Sequence, residues 1–311
     1  MKLRKIIVPV FVILIGFTAC KKDDANDVEI TPPRDRGEQQ IADDVAIVDY
    51  LESHYYNASF FEGNTNPKIS DIIITNSASS GSALLMDAVE TKTTVYANIS
   101  YKYYILKLNQ GGGTGSPSFA DDIRVVYEGF LADGTVFDDN AIVPSNFDLI
   151  TDVAVSGWRR VFPEFNVAEN FVENNDGTTD YVNSGVGIMF LPSGLSYFST
   201  SPSSKVPAYS PLFFKFELLD YSENDHDNDG IPSYLEDVNG DGNFTIEDPE
   251  DKTITHDDTD GDGTPNAFDA DDDGDGVPTI REDIDKDGDP TNDIGKNGIA
   301  KYLDPEETEA N

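Results

Sequence analysis

The chain has 311 residues, of which 59 are acidic and 21 basic, so its formal charge is −38. Such a charge would repel nucleic acid, and the single cysteine excludes both an internal disulfide and a cysteine-based zinc site. The charge is unevenly distributed, because residues 223–311 carry 30 acidic and 5 basic residues, a net charge of −25. The sequence therefore predicts a mildly acidic globular part followed by a strongly acidic segment.

Residues 1–19 combine three basic residues near the start with an uncharged apolar stretch that is too short to span a bilayer. The single cysteine, Cys20, follows directly. This arrangement resembles a bacterial lipoprotein signal, in which the cysteine carries the lipid and begins the mature chain. The alternatives are an ordinary secretory signal with a cysteine placed there by chance, and a short membrane anchor.

Residues 20–37 have the composition of a flexible tether. The first residues after the cysteine, 21–24, resemble the surface-export signals of Bacteroidetes lipoproteins, although a solvated tether without special meaning would look the same. We therefore expect an outer-membrane lipoprotein of the bacterial cell envelope, held to the membrane by its lipid anchor, with surface exposure as one option.

Residues 38–100 are predicted to form a helical and β-stranded extension. Within it, Ile41, Val45, Val48 and Leu51 recur at helical spacing. This pattern predicts a helix whose apolar face is buried against another part of the protein.

Beyond Ile69 the pattern changes to short β-branched and aromatic runs separated by Gly, Pro, Asn and Ser, which predicts an antiparallel sheet. Residues 109–117 are predicted to form a loop, and residues 132–135 to form the turn of a hairpin. The runs cover residues 71–75, 93–108, 122–131, 185–191 and 212–221.

Four of these segments resemble, in order and character, those of FKBP-type peptidyl-prolyl isomerases. They are VVYEGFLADGTVFDD (125–139), VSGWRRVFPEF (155–165), LPSGLSY (191–197) and VPAYSPLFFKFELLDY (206–221). The resemblance assigns residues 101–222 to an isomerase domain. It implies a half-open antiparallel sheet wrapped around one short helix, with a pocket between them.

The resemblance also implies an isomerase that needs no cofactor and encloses the X-Pro bond in a dry aromatic pocket. A twisted amide has a smaller charge separation than a planar one, so a dry pocket favours it. A backbone N–H near Val155 and the Tyr197 hydroxyl would donate hydrogen bonds to substrate carbonyls, while Asp138 would orient neighbouring polar groups. The pocket residues carried over by position are Tyr127, Phe137, Asp138, Phe147, Val155, Trp158, Tyr197, Val206 and Phe214.

Two features depart from the family pattern. Ser145 stands where the family usually has a pocket phenylalanine, which shrinks the apolar wall, and the segment 166–186 is longer than the usual connection. The longer segment could add a loop over or beside the pocket. On composition alone, the aromatic residues would be the core of a β-rich domain. A pocket without catalysis therefore stays an alternative.

The acidic segment repeats the pattern Asp-x-Asp/Asn-x-Asp-Gly, with another carboxylate at the twelfth position in four of five windows. This spacing places oxygen ligands on one side of a loop, and glycine allows the sharp turn, so the pattern predicts Ca²⁺ sites. The predicted ligands are Asp225, Asp227, Asp229, Glu236, Asp237, Asn239, Asp241, Asp248, Asp258, Asp260, Asp262, Asp269, Asp271, Asp273, Asp275, Glu282, Asp283, Asp285 and Asp287.

Consecutive windows abut, which leaves no room for the flanking helices of EF-hands. The eighth position is proline in four windows, whereas paired EF-hand loops need an apolar residue with a free N–H there. The spacing instead resembles thrombospondin type 3 calcium repeats, which wrap around their ions with little regular structure. An unstructured solvating tail is the alternative.

The sequence thus predicts an α+β protein, an FKBP-like antiparallel half-barrel around a short helix, with an N-terminal helix and an irregular calcium-repeat tail. The predicted function is a peptidyl-prolyl isomerase that assists the folding of exported proteins at the cell envelope. Its expected partners are proline-containing client polypeptides and the membrane, not nucleic acid, and the chain is expected to be a monomer. The alternative is a non-catalytic, calcium-dependent binding or adhesion lipoprotein with a degenerate FKBP-like domain.

Overall fold

The computed structural model describes residues 32–246 and 255–311. These residues form four helices and eleven strands, and six of the strands make up one large antiparallel sheet. The helices are α1 (Arg36–Ser53), α2 (Ala58–Phe61), α3 (Leu85–Ala88) and α4 (Trp158–Val161). The strands are β1 (Tyr55–Tyr56), β2 (Ile74–Thr75), β3 (Ala83–Leu84), β4 (Glu90–Tyr96), β5 (Ile99–Asn109), β6 (Asp122–Phe130), β7 (Val136–Asp148), β8 (Asn170–Glu173), β9 (Thr179–Val182), β10 (Gly185–Leu191) and β11 (Leu212–Ser222).

Several sequence predictions lie outside the described residues: the signal segment 1–19, Cys20, residues 21–31 of the tether, and the ligand Asp248. Residues 34–311 form a single unit by their internal contacts. The predicted boundaries after residues 100 and 222 therefore stay predictions. Among the described residues, no helix has the length and apolar character that crossing a membrane requires.

The large sheet has the strand order β4-β5-β10-β11-β6-β7, and every neighbouring pair is antiparallel. The predicted α+β class with an antiparallel sheet is thereby confirmed. Alternate residues of the inner strands face two different cores: Met189 of β10 packs on the same side as α4, and Ile188 packs on the same side as α1. Since both faces are covered, β10 is buried along its whole length, and its sequence shows no polar alternation.

The run 93–108 is divided into two strands. β4 and β5 pair as a hairpin whose tip is formed by Ala97 and Asn98, with φ angles of 48° and 59°. Two successive residues with positive φ are typical of a type I′ turn, whose twist matches that of the flanking strands. The predicted turn at 132–135 is confirmed between β6 and β7, where the backbone N–H of Leu131 donates to the Thr135 carbonyl at 3.0 Å.

Helix α1 covers one face of the sheet through Ile47, Tyr50 and Leu51. The helix is confirmed, and of its predicted buried face Leu51 is buried and Val48 packs against the same core, whereas Ile41 and Val45 are 69% and 57% exposed. The apolar spacing in the sequence therefore does not decide which side of α1 faces the core.

A buried polar contact fixes the rotation of α1. Asp43 Oδ2 accepts hydrogen bonds from the Ser193 backbone N–H at 2.7 Å and from its hydroxyl at 2.6 Å, while Gln39 donates to Asp43 Oδ1 at 2.7 Å. Burial raises the pKa of Asp43, and these hydrogen bonds act in the opposite direction. A buried carboxylate is costly without such partners. Asp43 therefore points inward, and Ile41 and Val45, two residues away on either side, point outward.

Replacing Asp43 with alanine is expected to lower the free energy of unfolding by about 2–3 kcal/mol, because the buried Ser193 N–H and hydroxyl lose their acceptor. Urea unfolding of the purified chain would measure the change. Asp49→Ala is the matched control on the same helix, since Asp49 is exposed, and should change stability by less than about 0.5 kcal/mol. Equal effects of the two variants would contradict this role of Asp43.

The long connection 166–186 contains the hairpin β8–β9, in which Tyr181 packs with Val126 and Leu219. Neighbouring residues of a strand point to opposite faces, so Val126 lies on the face away from Tyr127. The hairpin β8–β9 therefore packs on the side of the sheet opposite the predicted pocket, and the connection contributes no residue to the pocket lining described below.

The acidic segment consists of loops and short 3₁₀ turns. The glycine at the sixth position of each repeat has a φ between 74° and 101°, a left-handed backbone that glycine adopts without strain. The irregular character predicted for this segment is thus present in its described residues. The 3₁₀ turns are Ser233–Glu236, Asn266–Phe268, Thr279–Arg281, Pro290–Asn292 and Lys301–Leu303.

The acidic segment also packs against the large-sheet part of the unit. His226 Nε2 lies 3.0 Å from Asp148 Oδ2 at the end of β7, and Phe244 packs on Phe119 with ring centroids 5.3 Å apart. Burial alone would raise the pKa of Asp148, but hydrogen bonds from His226, from Thr151 and from nearby backbone N–H groups lower it to about 2. The ion pair and the ring contact fix the start of the acidic segment beside the loop that follows β7.

Candidate active site and carboxylate clusters

The predicted aromatic residues meet in a cavity of about 170 Å³ between the sheet and α4. β6 supplies Tyr127, β7 supplies Phe137 and Phe147, α4 supplies Trp158, and β11 supplies Phe214. Residues far apart in the sequence are thus brought together by the antiparallel pairing of β6 with β7 and β11. The complete lining is Tyr127, Phe137, Asp138, Phe147, Asp152, Val153, Ala154, Val155, Trp158, Tyr197 and Phe214.

Eight of the nine predicted pocket residues belong to this lining. Val206 is the exception, because it is 2% exposed within the adjoining hydrophobic core and does not line the cavity. Asp152, Val153 and Ala154 line the cavity but are missing from the predicted set. Their position directly before Val155 is the only signal in the sequence that indicates them.

Trp158 forms the centre of the aromatic cluster. Its ring makes edge-to-face contacts with Tyr127, Phe214 and Phe147, at centroid distances of 5.1, 5.3 and 5.7 Å. Such contacts contribute about 0.5–1.5 kcal/mol each beyond the area that they bury. Because Trp158 is only 4% exposed, the wall that it forms is both apolar and firmly packed.

Phe137 covers the edge of the pocket, and Gly129 makes its position possible. A Cβ atom at Gly129 would lie 2.6 Å from the Phe137 ring, so the ring packs directly over the glycine backbone. Phe137 also meets Phe214 edge-to-face, with centroids 5.6 Å apart. A glycine is therefore required on β6 opposite this ring, for reasons of space alone.

A tyrosine and a carboxylate form the main polar contact of the pocket. The Tyr127 hydroxyl donates to Asp138 Oδ2 at 2.7 Å. Burial, followed by the hydrogen bond to Asp138, raises the pKa of Tyr127, and burial together with the Asp138 charge raises the pKa of Tyr197. Both phenols consequently stay protonated at neutral pH. Asp138 is engaged in positioning Tyr127, while Tyr197 is half-buried at the cavity.

Ser145 lies outside the pocket lining. Its hydroxyl accepts a hydrogen bond from Asn140 Nδ2 at 3.0 Å, across a stretch of β7 in which Ile142 and Val143 are exposed. The pairing of β6 with β7 is irregular here, between Val125 and Tyr127. The position at which the sequence departs from the family pattern thus lies in an irregular part of β7 and not in the wall of the cavity.

The five repeats of the acidic segment share one loop geometry. In each repeat, the first aspartate accepts a hydrogen bond from the backbone N–H of the glycine five residues later, at 2.8–3.1 Å. This contact closes the loop and turns the following carboxylates toward its interior. The pairs are Asp225–Gly230, Asp237–Gly242, Asp258–Gly263, Asp271–Gly276 and Asp283–Gly288.

Five groups of carboxylates have ligand atoms that lie within 4.8 Å of one another. Most members are predicted ligands, but Asp257, Asp272 and Asp293 join groups without belonging to the predicted set. Asp225, Asp269, Glu282 and Asp287 are predicted ligands outside these groups. The groups are Asp227, Asp229, Glu236 and Asp272; Asp237, Asp241 and Asp257; Asp258, Asp260 and Asp262; Asp271, Asp273 and Asp275; and Asp283, Asp285 and Asp293.

Several carboxylates of the acidic segment are buried among other carboxylates. Burial, with the neighbouring carboxylates, raises the pKa of Glu236 to about 10 and that of Asp272 to about 9. Burial also raises the pKa of Glu282 to about 8, with Asp273 and Asp275 as the next causes. A site made only of carboxylate and amide oxygens has the ligand chemistry that Ca²⁺ prefers. The residues present therefore suit this ion.

Comparison with known proteins relates the two parts of the chain to different families. A family described as BamM C-terminal matches residues 226–304. The macrophage infectivity potentiator of Trypanosoma cruzi is 26% identical over 113 residues, which are 36% of this chain and 50% of that protein. The FKBP-type 22 kDa peptidyl-prolyl cis-trans isomerase of Escherichia coli strain K12 is also 26% identical over 113 residues, or 36% of this chain and 47% of that protein.

Among solved structures, a peptidyl-prolyl isomerase from Pseudomonas syringae pv. tomato aligns with 62% of this chain and all of its own, at 16% identity and a TM-score of 0.37. The chain spans about half the length of the curated relatives that it matches. The chain is thus similar in sequence to FKBP-type isomerases, in agreement with the family indicated by its motifs. The resemblance of the acidic segment to thrombospondin repeats stays a prediction, since the family that matches it is a different one.

Proposed function

We propose that this chain is an FKBP-type peptidyl-prolyl isomerase that assists the folding of exported proteins at the bacterial cell envelope. The observation that carries the proposal is the cavity of about 170 Å³ in which Tyr127, Phe137, Trp158 and Phe214 converge. Similarity to curated FKBP-type isomerases supports the choice of this class over other aromatic pockets.

The pocket would act by the environment that it offers to the X-Pro bond. Rotation of this bond must overcome a barrier of about 18–20 kcal/mol, because resonance keeps the amide planar. The twisted amide has less charge separation, so a pocket walled by Trp158, Phe137 and Phe214 stabilises it relative to the planar form. Only interactions that are stronger in the twisted state accelerate the reaction.

Polar groups at the pocket would orient the substrate. The protonated hydroxyl of Tyr197 and a backbone N–H near Val155 would donate hydrogen bonds to substrate carbonyls. Asp138 accepts from Tyr127 at 2.7 Å and therefore holds that side chain in place. No proton transfer or covalent intermediate is required.

A peptide with one X-Pro bond, followed by NMR exchange spectroscopy, tests the activity directly. The full chain is expected to accelerate cis-trans exchange at catalytic concentrations. A well-folded protein that binds the peptide without accelerating exchange would contradict the isomerase proposal. That outcome would favour the non-catalytic binding protein, which the replacement of the usual pocket phenylalanine by Ser145 supports.

The acidic segment forms the second part of the proposal. Its carboxylate groups would hold Ca²⁺, with Asp258, Asp260 and Asp262 as one set and Asp271, Asp273 and Asp275 as another. Bound Ca²⁺ would neutralise the negative charge of these carboxylates. The loops would then form a stiff, calcium-dependent stalk or contact surface beside the isomerase domain.

The location at the cell envelope depends on Cys20. Lipid chains on this residue would anchor the protein, because each buried methylene contributes about 0.8 kcal/mol. Cys20→Ser is expected to move the protein from the membrane fraction to the soluble fraction of fractionated cells. Retention of the variant in the membrane would show that another segment provides the anchor.

A further inference from the structure

Four carboxylates from two separate loops converge inside the acidic segment. Asp227, Asp229 and Glu236 belong to the loop 225–236, and Asp272 comes from the loop 271–282. Each contributes an oxygen that lies within 4.8 Å of the others. Asp272 is the second residue of its repeat, a position to which the spacing pattern assigns no ligand.

Three of these carboxylates are deeply buried, Asp227 is half-buried, and the group is poorly satisfied by hydrogen bonds. Glu236 is 0% exposed, and Asp229 and Asp272 are each 1% exposed. Both carboxylate oxygens of Glu236 and both of Asp272 are buried without a hydrogen-bond partner among the described residues, as is Oδ2 of Asp227. A buried charge without a partner costs several kcal/mol. A bound cation would supply the positive charge and the partners that these oxygens lack.

No side chain in the described residues supplies that charge. The ion pairs formed within residues 32–246 and 255–311 include none of the four carboxylates. The neighbouring His226 is committed elsewhere, with Nδ1 2.7 Å from the Ser233 hydroxyl and Nε2 3.0 Å from Asp148. The ligand atoms on offer are therefore all oxygens, which selects a hard divalent cation.

We propose that Asp227, Asp229, Glu236 and Asp272 bind one Ca²⁺ ion. Three of these ligands belong to the loop 225–236, and the loop 271–282 contributes the fourth, Asp272. This inference rests on the calcium function proposed above and gives it a specific architecture. The ion would fasten the loop 271–282 to the loop 225–236, which lies beside Asp148 and the globular part. Two repeats would then share one ion, and they would not bind calcium as independent sites.

A substitution at Asp272 separates this proposal from calcium binding in general. Asp272→Asn keeps the shape of the side chain and removes its charge, and Glu306→Gln removes one charge from an exposed position of the same segment. Native mass spectrometry of the full chain in millimolar Ca²⁺ would count the bound ions. We expect Asp272→Asn to lose one ion relative to the wild type and Glu306→Gln to lose none.

Thermal unfolding with and without Ca²⁺ distinguishes a calcium ligand from a residue that only supports the fold. With a chelator present, Asp272→Asn should be at least as stable as the wild type, because it removes an uncompensated buried charge. With Ca²⁺ present, it should be less stable, because a ligand is missing. A shift of the same sign in both conditions would overturn the proposal.

Terbium luminescence provides a test that does not depend on the stability of an Asp272 variant. Tb³⁺ accepts the oxygen ligands of Ca²⁺ and is sensitised by a nearby tyrosine. Tyr302 is 6% exposed and close enough to Asp272 and Glu236 for their charges to raise its pKa, after the larger effect of burial. Tyr302→Phe should therefore abolish a component of the sensitised emission.

The outcomes for the two proposals are distinct. If the wild type binds no Ca²⁺, both the calcium function and this site are wrong. If the wild type binds Ca²⁺ but Asp272→Asn binds the same number of ions with the same affinity, the general calcium function stands and the cross-loop site is wrong. Unchanged terbium emission in Tyr302→Phe would also count against the site.

Discussion

Replacing Phe137 with alanine is expected to lower kcat/KM for proline isomerisation by about 10- to 100-fold, a loss of about 1.4–2.7 kcal/mol of transition-state stabilisation. Phe137 forms one wall of the pocket and meets Phe214 edge-to-face at 5.6 Å. Its removal admits water to the place where the twisted amide must be kept dry. Peptide exchange measured by NMR, together with urea unfolding of the same sample, separates activity from stability.

Phe137 is a better choice for this test than Trp158. Trp158 is 4% exposed and packs against several rings, so its truncation would cost about 3–5 kcal/mol of stability and confuse the result. Phe171→Ala is the matched control, because Phe171 is 55% exposed on the hairpin β8–β9, away from the pocket. Full activity in a folded Phe137→Ala protein would contradict an aromatic, water-excluding pocket.

Removal of calcium is expected to have the second large effect. A site that binds Ca²⁺ at a concentration 100-fold above its dissociation constant contributes about 2.7 kcal/mol to stability. Several such sites in the acidic segment would together decide whether this segment stays folded. In a chelator, the repulsion among the 30 acidic residues of 223–311 is no longer offset, so the segment should unfold while the β-sheet part remains.

Differential scanning calorimetry and far-ultraviolet circular dichroism of the full chain would measure this change. In millimolar Ca²⁺ we expect one cooperative transition, and in chelator an early, separate loss of signal from the acidic segment. Magnesium is the control ion, because its strict octahedral geometry suits these flexible loops less well. Identical transitions with Ca²⁺ and with chelator would refute calcium binding by the repeats.

The pocket could be predicted largely from the sequence because each of its parts lies in a short segment with its own motif. Tyr127 and Phe137 stand on two strands joined by a tight turn, and Trp158 opens a short helix directly after a loop. Once the resemblance of these segments to the family is recognised, the pocket residues follow from it position by position, and the pairing of β6 with β7 and β11 brings them together. Asp152 and its two neighbours were missed because no motif marks a loop that is shaped by hydrogen bonds to Asp148.

In the acidic loops, too, one part of the structure could be predicted from the sequence and another part could not. The spacing Asp-x-Asp-x-Asp-Gly defines each loop locally, and the glycine with positive φ and the closing hydrogen bond to the first aspartate occur in all five repeats. The grouping of the carboxylates is not local. Asp257 and Asp272 join clusters because separate loops fold together, and spacing within one repeat contains no information about that contact, whereas Asp293 lies in the same repeat as Asp283 and Asp285.

The amino-acid sequence by itself determined the antiparallel strands, the aromatic set of the pocket and the geometry of each acidic loop. The strands and the acidic loops depend on residues that are close in the chain or on a motif of fixed spacing, whereas the aromatic set follows from the resemblance of four segments to a known family. Only the tertiary structure decided that Asp43 faces inward and leaves Ile41 and Val45 of α1 exposed, that the hairpin β8–β9 lies on the side of the sheet opposite the pocket, and that Asp272 meets Glu236. In each case a buried polar or packing contact over a long sequence distance outweighs the local pattern, because an unsatisfied buried group costs more than an exposed apolar one.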